Sequence, residues 1–276
     1  MKTQTEKAHV FRALHERDGA FILPNPWDIG SARLLALQGF EALGTTSAGY
    51  AFSRGQRDNT IDRAQIMEHL HDIVTATDLP VSADLENGFG DDPATVAETI
   101  RLAAAVGVVS ASIEDSTNRR EAPIFEHGLA VERVRAAVEA ARALPFPFLL
   151  TARAENYFVG RPDLHDTIQR LQAYQEAGAD VLFAPGLRTK EDIAAVVGAV
   201  DRPVNVMMGL QGVHFTFEEL TRLGVKRVSI GAALYRASMG AVSRAIEEMR
   251  TQGGFTFADQ GMSGREIQAM FQAWQR

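Results

Sequence analysis

The sequence predicts a single α/β domain, a (β/α)8 TIM barrel with one added helix at each end. Three observations carry that expectation. Short β-rich runs alternate with segments of helical periodicity along the chain. Several of those runs are nearly continuous apolar stretches, as parallel strands covered on both faces require. No Pro/Ser-rich linker, charge block or low-complexity tract divides residues 1–276, a length ordinary for one barrel. An open dinucleotide-binding sheet is disfavoured because no GxGxxG follows the first strand.

The elements follow in order. A helix over about Thr5 to Arg17, carrying His9 and His15 toward solvent, precedes the barrel. The strand runs are AFILPN from Ala20, EALGTTS from Glu41, PVSADLE from Pro80 and VVSASIE from Val108. FPFLLTA from Phe146, ADVLFAP from Ala179, PVNVMM from Pro203 and VKRVSIG from Val225 complete the eight. Between them, IGSARLLALQ follows Asp28 as N-cap and stops at Gly39, and PATVAETIRLAAA follows Asp92 and stops at Gly107. LHDTIQRLQAYQEA follows Asp163 and stops at Gly178, and TKEDIAAVVGAV and TFEELTRL fill the later gaps. The final segment, about 263–274, sets Ile267, Met270, Phe271 and Trp274 on one helical face. That face is expected to pack on a neighbouring subunit of a homo-oligomer.

Composition excludes several classes of function. The chain has 28 Lys+Arg against 35 Asp+Glu, a net charge of −7, which argues against nucleic acid or an anionic membrane as partner. It has no cysteine, so disulfides, thiolate metal sites and a cysteine nucleophile are all absent. No apolar run approaches the length of a membrane span, and the first residues lack the apolar core of a signal peptide. A soluble, cytoplasmic protein is expected.

Barrel active sites lie at the C-terminal ends of the strands, and polar side chains gather there. Strand one ends in Asn25, strand two in Thr45-Thr46-Ser47, and strand three in Asp84-Leu85-Glu86-Asn87-Gly88. Strand four ends in Glu114-Asp115 and strand five in Arg153 and Glu155, while strand seven carries Asn205. Asp84 and Glu86 share a parity that points both to one side of an extended strand, and Glu114 approaches from the next strand end. Clustered carboxylates repel unless a cation or proton compensates them, and an oxygen-only set suits Mg²⁺ or Mn²⁺. Turn chemistry or arginine pairing is the alternative account of these acids. Arg153 at a barrel mouth suits a bidentate grip on carboxylate or phosphate, or an ion pair with the neighbouring acids. The small residues of TTSAGYAFSRGQRDN let backbone N–H groups approach a ligand oxygen, and Asp58 lies further along that loop. His69 and His71 are two apart and cannot share a helix face, and Trp27 is expected to pack under a loop. The loop STNRREAPIFEHG brings Arg119 and Arg120 toward the mouth as a flap over an anionic substrate.

Taken together, LPNPWDIGSARLLALQGFEALGTTSAGYA, SADLENGFGD, SIEDS, TARAEN, GADVLFAPG and the ending GFTFADQGMSGREIQAMF resemble the isocitrate lyase/phosphoenolpyruvate mutase superfamily, in order and over nearly the whole chain. The resemblance implies a modified barrel, a homodimer or homotetramer with exchanged C-terminal helices, and Mg²⁺-assisted breaking or forming of C–C or P–C bonds in α-oxy acids. It implies metal roles for Asp84, Glu86 and Glu114. Thr46, Ser47 and Ala48 would grip the substrate, Asp58 would organise the closed site, Arg153 would anchor a carboxylate, and Arg236 would make another anion contact. The cysteine that isocitrate and methylisocitrate lyases carry after strand four has no counterpart here. The expected function is therefore a Mg²⁺-dependent lyase cleaving, or decarboxylating, a small 2-oxo or 2-hydroxy carboxylic acid through an enolate. Phosphonate P–C chemistry, or metabolite binding without catalysis, is the alternative. Glu121, Glu126 and His127 are the loop residues that could replace the missing proton donor.

Overall fold

The computed structural model describes residues 2–272 and 274; Met1, Ala273, Gln275 and Arg276 lie outside the described residues, so the end of the 263–274 segment is described only in part. The elements are α1 (Gln4–Glu16), β1 (Phe21–Leu23), α2 (Ile29–Leu37), β2 (Leu43–Gly44), α3 (Ser47–Ser53), α4 (Arg63–Ala76), β3 (Val81–Asp84), α5 (Pro93–Val106), β4 (Ser110–Glu114) and α6 (His127–Arg142). They continue with β5 (Leu149–Arg153), α7 (Leu164–Glu176), β6 (Val181–Phe183), α8 (Lys190–Gly198), β7 (Val204–Met207), α9 (Phe217–Arg222), β8 (Arg227–Ser229), α10 (Ala233–Gln252) and α11 (Gly264–Gln272). All eight expected strands are present and parallel, each shorter than the run that announced it. The capping residues stand where the sequence put them: Asp28, Asp92 and Asp163 each accept a first-turn backbone N–H.

The sheet runs β1-β8-β7-β6-β5-β4-β3-β2, leaving β1 and β2 at its two ends. The seam between them is closed without a ladder. Gly44 N–H donates to Pro24 O at 3.0 Å, and a Cβ on Gly44 would stand 2.9 Å from Leu23 Cδ2. Asn25 staples the join, donating to Thr45 O at 2.9 Å and accepting from the backbone of Ile230 and Gly231 at 2.9 and 3.0 Å. The apolar core fills the layer between sheet and helices, with Ile66, Leu70 and Ile73 of α4 and Val96 and Ile100 of α5 fully inside.

The structure corrects two expectations. The small-residue stretch after β2 is not an open loop but helix α3, capped by Thr46 through Gly49 N–H. His15 does not face solvent: it is buried between Phe11 and Phe21, edge-on to each at 4.9 Å. Within the chain, the C-terminal helix lies against α2, where Phe271 reaches Gly30 and the Arg33 guanidinium lies 5.5 Å from the centroid of Trp274. Ile267 stays exposed there. The apolar surface without cover is mainly that of α10, which has no buried residue and exposes Met239, Val242, Ile246 and Met249. Among the described residues no helix is long and apolar enough to cross a membrane.

His15 and His69 give the fold an acid limit. Burial, then the Arg227 charge, pushes His15 down to about 3, and burial pushes His69, stacked 4.1 Å from the Tyr50 ring, down to about 4. Both are neutral in the fold, whereas the unfolded chain takes up their protons near pH 6.5. Their contribution to stability is complete above that pH and is lost as pH falls toward 4 and 3. His15→Phe is expected to remove up to about 3 kcal/mol of the stability difference between pH 7 and 4.5. Urea melts of both proteins at the two pH values check this; equal differences would exclude His15 as a source.

Candidate active site

Three neighbouring strands end in charged side chains that meet over the barrel. β3 ends in Asp84, β4 in Glu114 and β5 in Arg153, and the register sets Glu114 directly opposite Arg153. The Arg153 guanidinium reaches Asp84 Oδ1 at 2.9 Å, Glu114 Oε2 at 3.0 Å and Glu155 Oε1 at 2.8 Å. It also lies 5.1 Å from the Phe183 ring centroid. Asp84 accepts from Ser47 N–H and Oγ–H at 3.1 and 3.0 Å, which ties the first turn of α3 to the strand-three acid. Ser47 is thereby occupied with Asp84, while Thr46 caps the helix and Ala48 lines the cavity.

One arginine serves several acids, and their protonation reflects it. Burial pushes Glu114 well above the usual carboxylate range, against the pull of Arg153, and pushes Glu155 up to about 7. Burial, with Asp84 and Asp58 nearby, raises Glu86 to about 8. Asp58, at the solvent-exposed rim, is raised by surrounding protein and then by Asp84. The parity argument for Glu86 fails. β3 stops at Asp84, and Glu86 lies beyond it in a left-handed turn at φ +49°, so it reaches the acid cluster by a turn and not along a strand. Its Oε1 is buried without a hydrogen-bond partner. A bulky residue held in that conformation costs free energy that the surrounding structure has to offset.

Asp84, Glu114, Arg153 and Glu155 bound a cavity of about 730 Å³ that also touches Asp58, Asn118, Arg119, Arg120 and Arg236, whereas Glu86 does not line it. The loop after β4 folds back on itself through the Ser116–Ile124 bridge, and Arg119 pairs with Asp91 at 2.5 Å. Of the loop's proposed proton donors none lines the cavity: Glu126 caps α6 through Gly128 N–H at 2.9 Å, His127 opens that helix, and Glu121 is exposed. His214 is likewise absent from the lining. Trp27 packs edge-on to Tyr235 at 5.5 Å, and Tyr235 Oη–H donates to Phe52 O at the end of α3. Asn205 reaches the cavity, but its amide is tied to Ser229 Oγ and Arg227 Nε, both at 2.9 Å.

Sequence reasoning missed the supports. Asp115 is buried and accepts from Glu155 N–H at 2.8 Å, Arg170 at 3.2 Å and Tyr174 Oη–H at 2.5 Å. Arg170 also donates to Phe125 O at 3.1 Å and Asp166 at 2.8 Å. This group joins the ends of β4 and β5, the loop base and α7, so it fixes where Arg153 and Glu155 stand. Arg133, fully buried, donates to the carbonyls of Asn87, Gly90 and Asp91 and lies 4.0 Å over Phe125, holding the turn that carries Glu86. The i,i+4 row Asp166–Arg170–Tyr174 on α7 is the only helical sign of the first group; Asp115, Glu155 and Phe125 join it from elsewhere, and Arg133 meets the β3–α5 turn from α6.

The oxygen donors fit a hard divalent cation held partly through water. Among the described residues no three His, Asp or Glu side chains stand close enough to enclose a bare ion. Mg²⁺ does not require that, since it keeps several waters and takes one or two carboxylates. The partnerless Glu86 Oε1 beside Asp84 is the observation that supports the fit.

Acids and an arginine on adjacent strand ends, around a cavity in a (β/α)8 barrel, define the candidate catalytic centre of a barrel enzyme. The chain belongs to the phosphoenolpyruvate phosphomutase family, whose model matches residues 11–250, and is an enzyme of the isocitrate lyase/phosphoenolpyruvate mutase superfamily. It is similar to a Burkholderia cenocepacia J2315 protein described as a lyase/mutase, at 62% identity and a TM-score of 0.96 over 98% of this chain and 97% of that one. It is 29% identical to 2-methylisocitrate lyase of Bacillus subtilis strain 168, over 91% of this chain and 84% of that one. It is 28% identical to oxaloacetate decarboxylase of Pseudomonas savastanoi pv. phaseolicola, over 93% and 88%.

Proposed function

We propose that this enzyme cleaves a carbon–carbon bond in a small 2-oxo or 2-hydroxy dicarboxylate through an enolate, with decarboxylation of a 2-oxo dicarboxylate as the favoured reaction. The observation that carries this reading is a cavity in which Arg153 is paired with Asp84, Glu114 and Glu155, and whose described lining residues include no histidine, no thiol and no carboxylate from the loop after β4. Asp84, with Glu86 and Glu114 through water, would hold Mg²⁺, which supplies Lewis acidity at the 2-oxo oxygen. Arg153 orients a substrate carboxylate through its fork, and Asp84 and Glu155 hold that fork in place. Ala48 at the first turn of α3 and Arg236 flank the substrate oxygens, and Asp58 stands at the rim. Loss of CO₂ from C3 leaves its bonding electrons on the enolate, and C3 then takes a proton from water. Retro-aldol cleavage of a 2-hydroxy tricarboxylate asks for a placed acid and base as well.

The test is a substrate panel with Mg²⁺, Mn²⁺ or chelator. Oxaloacetate-type acids are expected to turn over at least about 100-fold faster than isocitrate or 2-methylisocitrate, whose cleavage falls below the usual enzymatic range of roughly 1–10³ s⁻¹. Glyoxylate or pyruvate released from those tricarboxylates at ordinary rates would overturn the ordering. Phosphate released from phosphonopyruvate would favour P–C chemistry instead.

The assembly is proposed on the bare face of α10 together with Ile267 of α11. Exposed apolar residues repeated along one helix mark an interface. A homodimer or homotetramer is expected to bury them against a second copy, in which the segment from about 263 to 274 takes part. Truncation after Gly261 should lower the assembly state in light scattering; a monomeric full-length chain would contradict the proposal.

A further inference from the structure

Barrel interiors are ordinarily filled by layers of branched apolar side chains. Here the layer beneath the acid cluster is polar, with Ser82, Ser112, Thr151, Asn205 and Ser229 around a single cation, Arg227. Arg227 opens β8, is 3% exposed and borders the floor of the same cavity whose mouth holds Arg153. Thr151 and Arg153 point the same way along β5 one pleat apart, and Arg227 donates to Thr151 Oγ1 at 3.0 Å. The two guanidiniums therefore occupy successive layers of the barrel.

Arg227 has no carboxylate partner among the described residues. Its bonds go to neutral acceptors: Asn205 Oδ1 at 2.9 Å, Thr151 Oγ1, and His15 Nε2 at 3.5 Å. His15 Nδ1 bonds Phe11 O at 2.9 Å, which makes Nε2 the lone-pair side of a neutral ring and closes the floor from below. A guanidinium has five donors, so some remain directed elsewhere. Burial pushes Arg227 down to about 9, with no acidic side chain near enough to pull it back. Ser229 Oγ already accepts from Asn205, so its own proton is free to donate. A buried guanidinium without a carboxylate partner is costly, and a buried cation bordering a cavity with hydroxyls beside it is arranged for an anion.

We propose that the cavity floor at Arg227 is a binding site for a small monoanionic group, either a halide-sized inorganic anion or one carboxylate of the substrate. The first source is independent of the proposed reaction; the second rests on it. Arg153 would then hold the reacting end of a substrate at the mouth, while Arg227 sets how deep an anionic arm can reach.

Thermal melts at fixed ionic strength, with sodium bromide replacing sodium methanesulfonate, which is neither a halide nor a carboxylate, test the site without turnover. A Tm rise of several degrees is expected in bromide, saturating with concentration, together with an anomalous bromide peak within hydrogen-bond distance of Arg227. Arg227→Lys should weaken the shift and Arg227→Gln should remove it; the wild-type melts and the anomalous map decide the matter if Arg227→Gln does not fold. If succinate suppresses the bromide shift and propionate does not, the substrate's far carboxylate is the natural occupant. If neither does, a free anion is. Identical melts in bromide and methanesulfonate, with no bromide density at Arg227, would overturn the proposal, whatever reaction the enzyme catalyses.

Discussion

Asp84→Asn is expected to lower turnover by about 10³-fold or more and to abolish any Mg²⁺-dependent rise in Tm. Asp84 is the strand-end acid on which the site converges, bonded at once to Ser47 on α3 and to Arg153 on β5. The amide keeps the shape and an acceptor oxygen but removes the charge that a hard cation requires. Turnover and the metal-induced Tm shift, measured together by titration of Mg²⁺ into apoprotein, should disappear in parallel. Undiminished activity in excess EDTA, or in the variant, would remove the metal from the proposed mechanism.

Arg153 should be almost as costly to replace, and its two informative variants fail differently. Arg153→Met leaves Glu114 and Glu155 buried without their cation, and loss of one partner from a buried ionic cluster costs about 3–5 kcal/mol. Protonation of those acids at neutral pH limits the loss, so the variant should be most unstable at high pH, where they must ionise. The sign follows from their raised positions. The unfolded chain releases these protons near the usual carboxylate value of 4.5 while the fold retains them, so their share of stability is present at low pH and declines as pH rises through about 7 for Glu155. Arg153→Lys keeps the charge and loses the fork, so the fold should survive while kcat/KM falls by roughly 100-fold. Near-normal kinetics in Arg153→Lys, with lowered stability alone, would make Arg153 a structural counterion and no more.

Much of the site could be read in the chain because strand ends advertise themselves. A short apolar run that breaks into Asp, Glu or Arg marks a barrel mouth, and Asp84, Glu114 and Arg153 were placed on that ground. Asn25 and Asn205 looked equivalent in sequence, yet one closes the seam between β1 and β2 and the other supports Arg227. Glu86 shows where a local rule fails: alternation holds only while the strand lasts, and β3 ends two residues too soon. The loop acids Glu121 and Glu126 were within reach by sequence distance, but the Ser116–Ile124 bridge and the α6 cap turn the loop so that Asn118, Arg119 and Arg120 face the cavity instead.

The sequence alone determined the barrel, because the alternation of β-rich and helical periods, with Asp caps and Gly stops, is local chemistry repeated along the chain. It also determined that no thiol takes part, since the chain has none. Tertiary structure alone decided which acids share Arg153, that His15 lies buried under the barrel, and that Arg227 stands in its interior without a carboxylate partner among the described residues. Hydrogen bonds and desolvation depend on groups brought together from distant strands, and no spacing along one segment encodes that proximity.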